Sequence, residues 1–258
     1  MAASRKPQAQ RAIEPIKLTK AGPKRTIGIL GGMGPEATAY FFDLIVKNTR
    51  AIRDQDHVPV IVCNLPQIPD RTAAVLERGP SPLPAIVRGL ETLESSGADF
   101  AVIPCITAHH FLSGLPARSP LPLVNLVAKT VAEVRHRFPR LKKLGLLATT
   151  GTVRSRLLHK AFAAAGIEIL VPAPGAQKQL MTAIYGKRGI KTGAASGMSR
   201  MIVLDVAAGL TRRGAQAIMA GCTEIPLVLR PEDLAVPLIE PMLIAARACI
   251  KRAGGKVR

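Results

Sequence analysis

Short apolar runs alternate along the chain with longer segments in which apolar residues recur at helical spacing. The apolar runs predict strands at 26–31, 58–64, 99–105, 121–126, 143–149, 167–172 and 215–222, with a short edge strand at 236–240. The periodic segments predict helices at 36–49, 84–95, 127–138, 155–164, 177–185, 196–212 and 242–251. Strands that alternate with helices of this length indicate βαβ units, so the predicted fold class is α/β with parallel sheets.

The same pattern occurs twice, because a shift of 117 residues places the chain on itself. GILGGMG at 28–34 aligns with GLLATTG at 145–151, and GADFAVIPC at 97–105 aligns with GAQAIMAGC at 214–222. Each half opens with a strand that runs into a turn of small residues, and each carries a cysteine where a later strand stops. The repeat predicts two pseudo-symmetric α/β lobes. Because ligands bind beyond the carboxyl ends of parallel strands, Cys105 and Cys222 are expected to face one cleft between the lobes.

The expected division of the chain follows from the repeat and from the polar segments. Residues 1–24 are polar, basic and interrupted by Pro and Gly, which is typical of a disordered tail. The first lobe is expected to comprise 25–122. The segment 227–258 is too short for another lobe, so we expect it to return and pack on the first one. The second lobe would then be an insertion spanning 123–226.

Composition limits the possible locations and partners. No apolar run reaches the roughly 20 residues that span a bilayer, and residues 1–25 have no hydrophobic core of a signal peptide, so a cytoplasmic protein without membrane contact is expected. The net charge is +19, but aromatic residues make up only 3% and no nucleic-acid motif accompanies the charge. Nucleic acid is therefore not an expected partner. The positive charge can still attract an anionic small-molecule substrate.

The cysteines point to chemistry rather than to disulfides or metal binding. The chain contains four of them, without a CxxC pair or a Cys/His cluster, which favours free thiols and argues against a zinc site. Cys63 and Cys249 have no partner in the repeat and are interpreted as structural. A single free cysteine is usually a small buried hydrophobe, but Cys105 and Cys222 occupy the same repeat position. Two opposed thiols can invert a carbon acid without a cofactor, one removing the proton and the other returning one from the far side.

Seven sequence segments together carry a resemblance to a known family. They are, in chain order, TIGILGGMGPEAT, RDQDHVPVIVCN, PQIPDRT, PC-x-TAHHF, ATTGT, IKTG and GCTEIPL, and the resemblance covers nearly everything from Thr26 to about Pro241. The set resembles the aspartate/glutamate racemase superfamily, and within it the branch of aspartate racemases that work without pyridoxal phosphate. The resemblance implies two pseudo-symmetric lobes with the active site between them and a homodimer. It also implies cofactor-independent racemisation of aspartate or a related acidic amino acid.

The resemblance also assigns roles to residues. It makes Cys105 and Cys222 the two acid/base thiols, with no metal and no cofactor. Arg71 of PQIPDRT would hold the side-chain carboxylate of the substrate, a task that suits its planar fork, although outside this motif it would read as a surface charge. Lys191 of IKTG would also face the substrate; Lys187 and Arg188 in the same loop are alternatives. The other expected substrate contacts are Met33, Asn64, Thr107, Thr152 and Thr223.

One residue departs from the family pattern, and it leaves alternatives open. The family motif has asparagine where this chain has Ile106, which can donate no hydrogen bond. Losing a hydrogen bond to a charged group costs on the order of 1.5–3 kcal/mol, so substrate specificity is in question more than thiol chemistry. The alternatives are a relative acting on another carbon acid, of the hydantoin racemase or maleate isomerase type, and a non-catalytic homologue that binds a small molecule. Arylmalonate decarboxylases need one cysteine only, so the intact pair argues against them.

Three further interpretations remain at the level of the sequence. GGMGPEA after a strand is a weak dinucleotide-binding pattern, but the next strand ends in Asn64 rather than in an acidic residue that would bind a ribose. His109 is either a general base or a packed, hydrogen-bonding side chain. Glu224, beside Cys222, either orients a neighbour and raises the pKa of the thiol or simply begins a helix.

Overall fold

The strands form two parallel sheets of four strands each. The computed structural model describes residues 24–115, 120–193 and 197–258, so the predicted disordered tail, except Lys24, lies outside the described residues. The first sheet has the order β2-β1-β3-β4 and consists of β1 (Ile27–Gly31), β2 (Val60–Asn64), β3 (Phe100–Val102) and β4 (Leu123–Val124). The second has the order β6-β5-β7-β8 and consists of β5 (Lys143–Leu147), β6 (Glu168–Leu170), β7 (Ala217–Ala220) and β8 (Leu238–Ile239). These equivalent strand orders confirm the α/β fold with two pseudo-symmetric parallel sheets.

The helices lie between the strands as the periodicity predicts. They are α1 (Pro35–Asn48), α2 (Arg71–Val75), α3 (Leu83–Ser95), α4 (Leu126–Arg137), α5 (Thr150–Arg154), α6 (Leu157–Ala163), α7 (Pro174–Tyr185), α8 (Gly197–Arg212) and α9 (Pro241–Arg252). Helices α2 and α5 have five residues each and are too short to show a periodic pattern. Within the described ranges, no helix is both long and apolar enough to cross a membrane.

Several predicted boundaries differ from the structure by two or three residues, and two of these differences have a clear local reason. The helix predicted at 155–164 begins only at Leu157, because Arg156 has a left-handed φ of 53° that interrupts the helical path after α5. The strand predicted at 99–105 ends at Val102, and Pro104 follows, which has no N–H to donate to a strand ladder. Cys105 therefore lies beyond the strand, in the turn that faces the cleft.

The chain passes between the lobes twice. Strand β4 pairs with β3 in the first sheet, and the following helix α4 packs against α6 and α9. Strand β8, which lies within 227–258, pairs with β7 in the second sheet, whereas α9 of the same segment packs against α1. The backbone N–H of Arg258 then donates to the carbonyl of Asn48 at 2.9 Å. The segment 227–258 thus adds a strand to the second sheet before it returns to the first lobe. The division into a first lobe of 25–122 with 227–258 and a second lobe of 123–226 stays a prediction.

A glycine at the contact between the lobes leads to a testable prediction. A Cβ atom on Gly151 of α5 would lie 2.7 Å from the Cα of Thr72 in α2, so the backbones would have to separate. We expect Gly151→Ala to lower the free energy of unfolding by about 1–3 kcal/mol, the usual cost of overpacking. Thermal or urea unfolding measures this. Gly175→Ala in α7 is the matched control, since none of the described residues lies within 4 Å of its added Cβ. Equal stability of the two variants would contradict the prediction.

Candidate active site

The carboxyl ends of β3 and β7 meet at one cleft between the two sheets. Cys105 follows β3 and Cys222 follows β7, and each thiol is buried, with 6% of the residue exposed. All four cysteines are free thiols. The cleft is lined by Met33, Arg71, Cys105, Ile106, Thr107, Thr149, Tyr185, Lys191, Gly221, Cys222, Thr223 and Glu224.

The cleft brings together both predicted thiols and five of the predicted substrate-binding residues, namely Met33, Arg71, Thr107, Lys191 and Thr223. Thr152 lies one side chain behind the wall, where its hydroxyl is 2.7 Å from that of Thr107. Asn64 is at the end of β2, exposed, and is not among the lining residues. Strand β2 is an edge strand of the first sheet, and the predicted contact of Asn64 with the substrate stays a prediction.

Arg71 enters the cleft from the first residue of α2. The preceding Asp70 caps this helix, since its carboxylate accepts the N–H of Ala73 at 2.7 Å. The guanidinium of Arg71 donates to the carbonyls of Ile68 (3.1 Å) and Met33 (3.1 Å), which fix its plane. Its buried Nε finds no hydrogen-bond partner within the described part of the chain. Burial lowers the pKa of Arg71 and the neighbouring Cys105 raises it, with a net rise.

Lys191 enters the cleft from the second lobe and pairs with Glu224. Its ammonium also donates to the carbonyl of Met33 at 3.3 Å, which ties it to the turn after β1. Lys187 and Arg188, the alternatives in the same loop, are exposed and do not line the cleft. Burial lowers the pKa of Lys191 and Glu224 raises it, with a net rise, so the ammonium is charged. The cleft therefore presents two cations, Arg71 and Lys191.

Glu224 is buried, with 2% exposed, and is held by four groups. One carboxylate oxygen pairs with Lys191 and accepts the N–H of Gly34 at 3.1 Å. The other oxygen accepts the thiol of Cys222 at 2.9 Å and the hydroxyl of Thr223 at 3.2 Å. Burial, reinforced by the negative charge of Glu224 and opposed by Lys191, raises the pKa of Cys222 well above its ordinary value.

Comparison of the whole chain with known proteins identifies relatives. The sequence profile of the Asp/Glu/hydantoin racemase family matches residues 30–249. The chain belongs to this family. The structure of the Picrophilus torridus aspartate racemase superposes with a TM-score of 0.81 at 31% identity, over 91% of this chain and 96% of that one. The broad specificity amino-acid racemase RacX of Bacillus subtilis is 26% identical over 87% of this chain and 96% of its own length. An aspartate racemase homologue of Pyrococcus horikoshii shares the fold, with a TM-score of 0.71 at 21% identity over 89% of this chain and 99% of that one.

As a member of this family the chain is an isomerase of the racemase type.

Hydroxyl groups join the two lobes of the racemase across the cleft. The Thr107 hydroxyl lies 3.4 Å from that of Thr149, and Thr72 donates to Thr149 at 3.1 Å. Tyr185 of α7 donates to Asp70 at 2.9 Å. Sequence reasoning did not identify Thr149 and Tyr185 as lining residues. Thr149 aligns with a glycine in the repeat, and Tyr185 ends a helix far along the chain without any local motif.

Ile106, the residue that departs from the family pattern, lines the cleft. It is 2% exposed and also joins the hydrophobic core of the racemase. An aliphatic group therefore forms part of the cleft wall next to Cys105. It contributes contact area but no hydrogen bond to a bound amino acid.

His109 is a packing and hydrogen-bonding residue rather than a cleft base. Its Nε2 accepts the backbone N–H of Leu126 at 3.1 Å, so Nε2 is unprotonated and Nδ1 donates to the carbonyl of Cys105 at 2.9 Å. Burial, with a smaller opposing effect of the bond to the Cys105 carbonyl, lowers the pKa of His109 to about 4. The ring thereby joins the Cys105 turn to the start of α4.

This neutral histidine gives the racemase a predictable acid sensitivity. Because the pKa of His109 falls from 6.5 to about 4 on folding, the unfolded chain binds its proton first as the pH drops. Stability is therefore lost from about pH 6.5 down to about pH 4, by on the order of 3 kcal/mol. Urea unfolding across this range measures the loss. His109→Gln should flatten the profile and the exposed His110→Gln should not; identical profiles for wild type and His109→Gln would contradict the prediction.

Proposed function

We propose that the protein is a cofactor-independent racemase of aspartate or a related acidic amino acid, with Cys105 and Cys222 as opposing acid/base thiols. The observation that supports this most strongly is the pairing of the two thiols at equivalent strand ends of one cleft. The similarity to an aspartate racemase, at 31% identity over 91% of the chain, supports the substrate class.

The reaction needs a base on one face of the α-carbon and an acid on the other. A thiolate takes the α-proton, the electron pair stays on the substrate as a carbanion, and the second thiol gives a proton to the opposite face. Donors that stabilise the developing negative charge lower the barrier. Thr107 and Thr223 lie beside the thiols and are the proposed donors, with Thr152 supporting Thr107 from behind.

The charges in the cleft favour a substrate with two carboxylates. Arg71 and Lys191 are both cationic, and among the described residues that line the cleft the one carboxylate is the buried Glu224, which pairs with Lys191. Arg71 would hold the side-chain carboxylate through its planar fork. The turn that includes Met33 already accepts hydrogen bonds from both cations and would orient them towards the substrate.

A broader specificity is the second candidate, because Ile106 favours it. An aliphatic wall does not select for a polar substrate group, and the chain is similar to RacX, a broad specificity amino-acid racemase. Under this alternative, neutral amino acids are racemised as well as aspartate. The homodimeric state and the cytoplasmic location stay predictions, of which light scattering tests the first.

Solvent deuterium incorporation at the α-carbon tests the proposal. L- and D-aspartate are incubated separately in D2O without pyridoxal phosphate and followed by NMR. A two-thiol racemase places deuterium in the product enantiomer first, because the returned proton comes from the other, solvent-exchanged thiol. A parallel panel of neutral amino acids separates narrow from broad specificity. No exchange and no racemisation with any member of the panel would overturn the proposal.

A further inference from the structure

The two thiols of the cleft have different electrostatic surroundings, although their backbone positions are equivalent. The thiol of Cys222 donates a hydrogen bond to the carboxylate of Glu224 at 2.9 Å. Cys105 lines the same cleft as Arg71, and its charge interacts with the guanidinium instead. A carboxylate disfavours a neighbouring thiolate, whereas a cation favours one. The pseudo-symmetry of the fold is thus broken at the reacting atoms.

The Glu224 carboxylate is fixed in place and cannot easily turn away from Cys222. Its other oxygen is held by the backbone N–H of Gly34 in the opposite lobe and by the ammonium of Lys191. The ammonium of Lys191 balances the charge of this buried carboxylate. A fixed carboxylate at hydrogen-bond distance is an acceptor for the thiol proton of Cys222.

We propose that Glu224 is a positioning residue that holds Cys222 in its thiol form, so that Cys222 is the proton donor and Cys105 the base when the resting protein binds the enantiomer whose α-hydrogen faces Cys105; the other enantiomer needs the reverse protonation of the two thiols. The roles of donor and base rest on the proposed racemase function, whereas the effect of Glu224 on the Cys222 thiol does not.

The proton balance follows directly. The Cys105 thiolate forms an S–H bond as the α-C–H bond breaks, and the S–H bond of Cys222 breaks as the new C–H bond forms. The product leaves behind a Cys105 thiol and a Cys222 thiolate beside Glu224. This thiolate is repelled by Glu224, which favours its reprotonation as Cys105 loses its proton to solvent. Nothing is oxidised or reduced.

Three ionisable side chains around Cys222 affect its titration. Glu224 opposes the thiolate, and Lys191 favours it. Tyr185 also interacts with Cys222, but burial raises the pKa of its phenol, so it stays neutral. Removing the Glu224 charge should therefore make Cys222 easier to ionise, and removing the Lys191 charge should make it harder. Opposite shifts from two neighbouring variants are an outcome that a purely structural role would not produce.

The first experiment titrates Cys222 directly and needs no substrate. The full chain is labelled with [3-13C]cysteine, and the Cβ resonance of Cys222, assigned by its loss in Cys222→Ser, is followed from pH 6 to about pH 10. We expect Glu224→Gln to lower the midpoint by at least about one pH unit, a tenfold change in the dissociation constant, and Lys191→Met to leave the thiol protonated throughout. Glu232→Gln removes an exposed carboxylate and serves as the matched control. The same thiol signal in wild type and Glu224→Gln up to about pH 10 would overturn the proposal.

The second experiment connects the titration to turnover. The alkaline limb of the pH profile of kcat/KM reports the loss of the proton-donating thiol in the free enzyme. In Glu224→Gln this limb should move to lower pH, equally for both enantiomers, because their equilibrium constant is one at every pH. An unmoved limb together with a moved NMR midpoint would overturn the role of Cys222 as the donor. A moved midpoint in a protein that racemises nothing would refute the proposed function and leave the effect of Glu224 standing.

Discussion

Replacing either Cys105 or Cys222 with alanine should lower kcat for racemisation by about 10²–10⁴-fold, the usual contribution of a positioned acid or base. One thiol can still take and return a proton on its own face, but inversion needs a group on each face. The measurement is circular dichroism or chiral chromatography of L- and D-aspartate, with far-UV spectra to verify folding. Both thiols line the cleft. A loss of this size in a folded variant would therefore indicate that the missing thiol acts directly on the substrate.

The chain offers a matched control for these variants. Cys63 lies half-buried on β2 and outside the cleft, so Cys63→Ala should leave kcat within about twofold of wild type. Full activity in Cys105→Ala or in Cys222→Ala would contradict the two-thiol mechanism. A deuterium exchange that survives for only one enantiomer in each variant would identify the face that each thiol serves.

Replacing Arg71 should chiefly weaken the binding of acidic substrates. Arg71→Met removes a pair of charge-assisted hydrogen bonds, each worth about 1.5–3 kcal/mol, so KM for aspartate should rise at least about 10²-fold. Arg71→Lys keeps the charge but loses the planar fork, and an intermediate rise is expected. Steady-state kinetics with aspartate and alanine measure both effects, and the preference for aspartate over alanine should fall in parallel.

A surface arginine nearby provides the comparison for Arg71. Arg78 is exposed just beyond α2, so Arg78→Met removes the same charge from the same region without touching the cleft. An unchanged KM for aspartate in Arg71→Met would show that another group, of which Lys191 is the nearest candidate, holds the side-chain carboxylate. A loss of aspartate binding in both variants would point to general charge attraction instead.

The repeat in the sequence predicted the fold because it reflects a repeated backbone path. Strand β1 and strand β5 occupy equivalent central positions, and the cysteines after β3 and β7 meet as the repeat requires. What the repeat could not predict is where the two halves differ. Glu224 follows Cys222 by two residues, whereas Thr107 holds that position after Cys105, and only the folded chain places Lys191 against Glu224.

The contacts between the lobes were the least predictable part of the site. The hydrogen bond from Tyr185 to Asp70 joins residues 115 positions apart, and no local pattern encodes such a pairing. Strand β8 likewise pairs with β7 in the second sheet, although its segment was expected to pack on the first lobe. The position of a strand along the chain does not determine which sheet edge it joins. Asn64 fits its motif and lies at the end of an edge strand, outside the residues that line the cleft, so its predicted contact with the substrate stays a prediction.

The double passage of the chain between the lobes determines where the two sheets are joined. Both passages run from a strand into a helix, from β4 into α4 and from β8 into α9, and the two helices pack against each other. This packed pair of helices therefore forms one connection between the two sheets. The hydrogen bond between Tyr185 and Asp70 forms another connection at the cleft, and any motion that separates the lobes at that point has to break it.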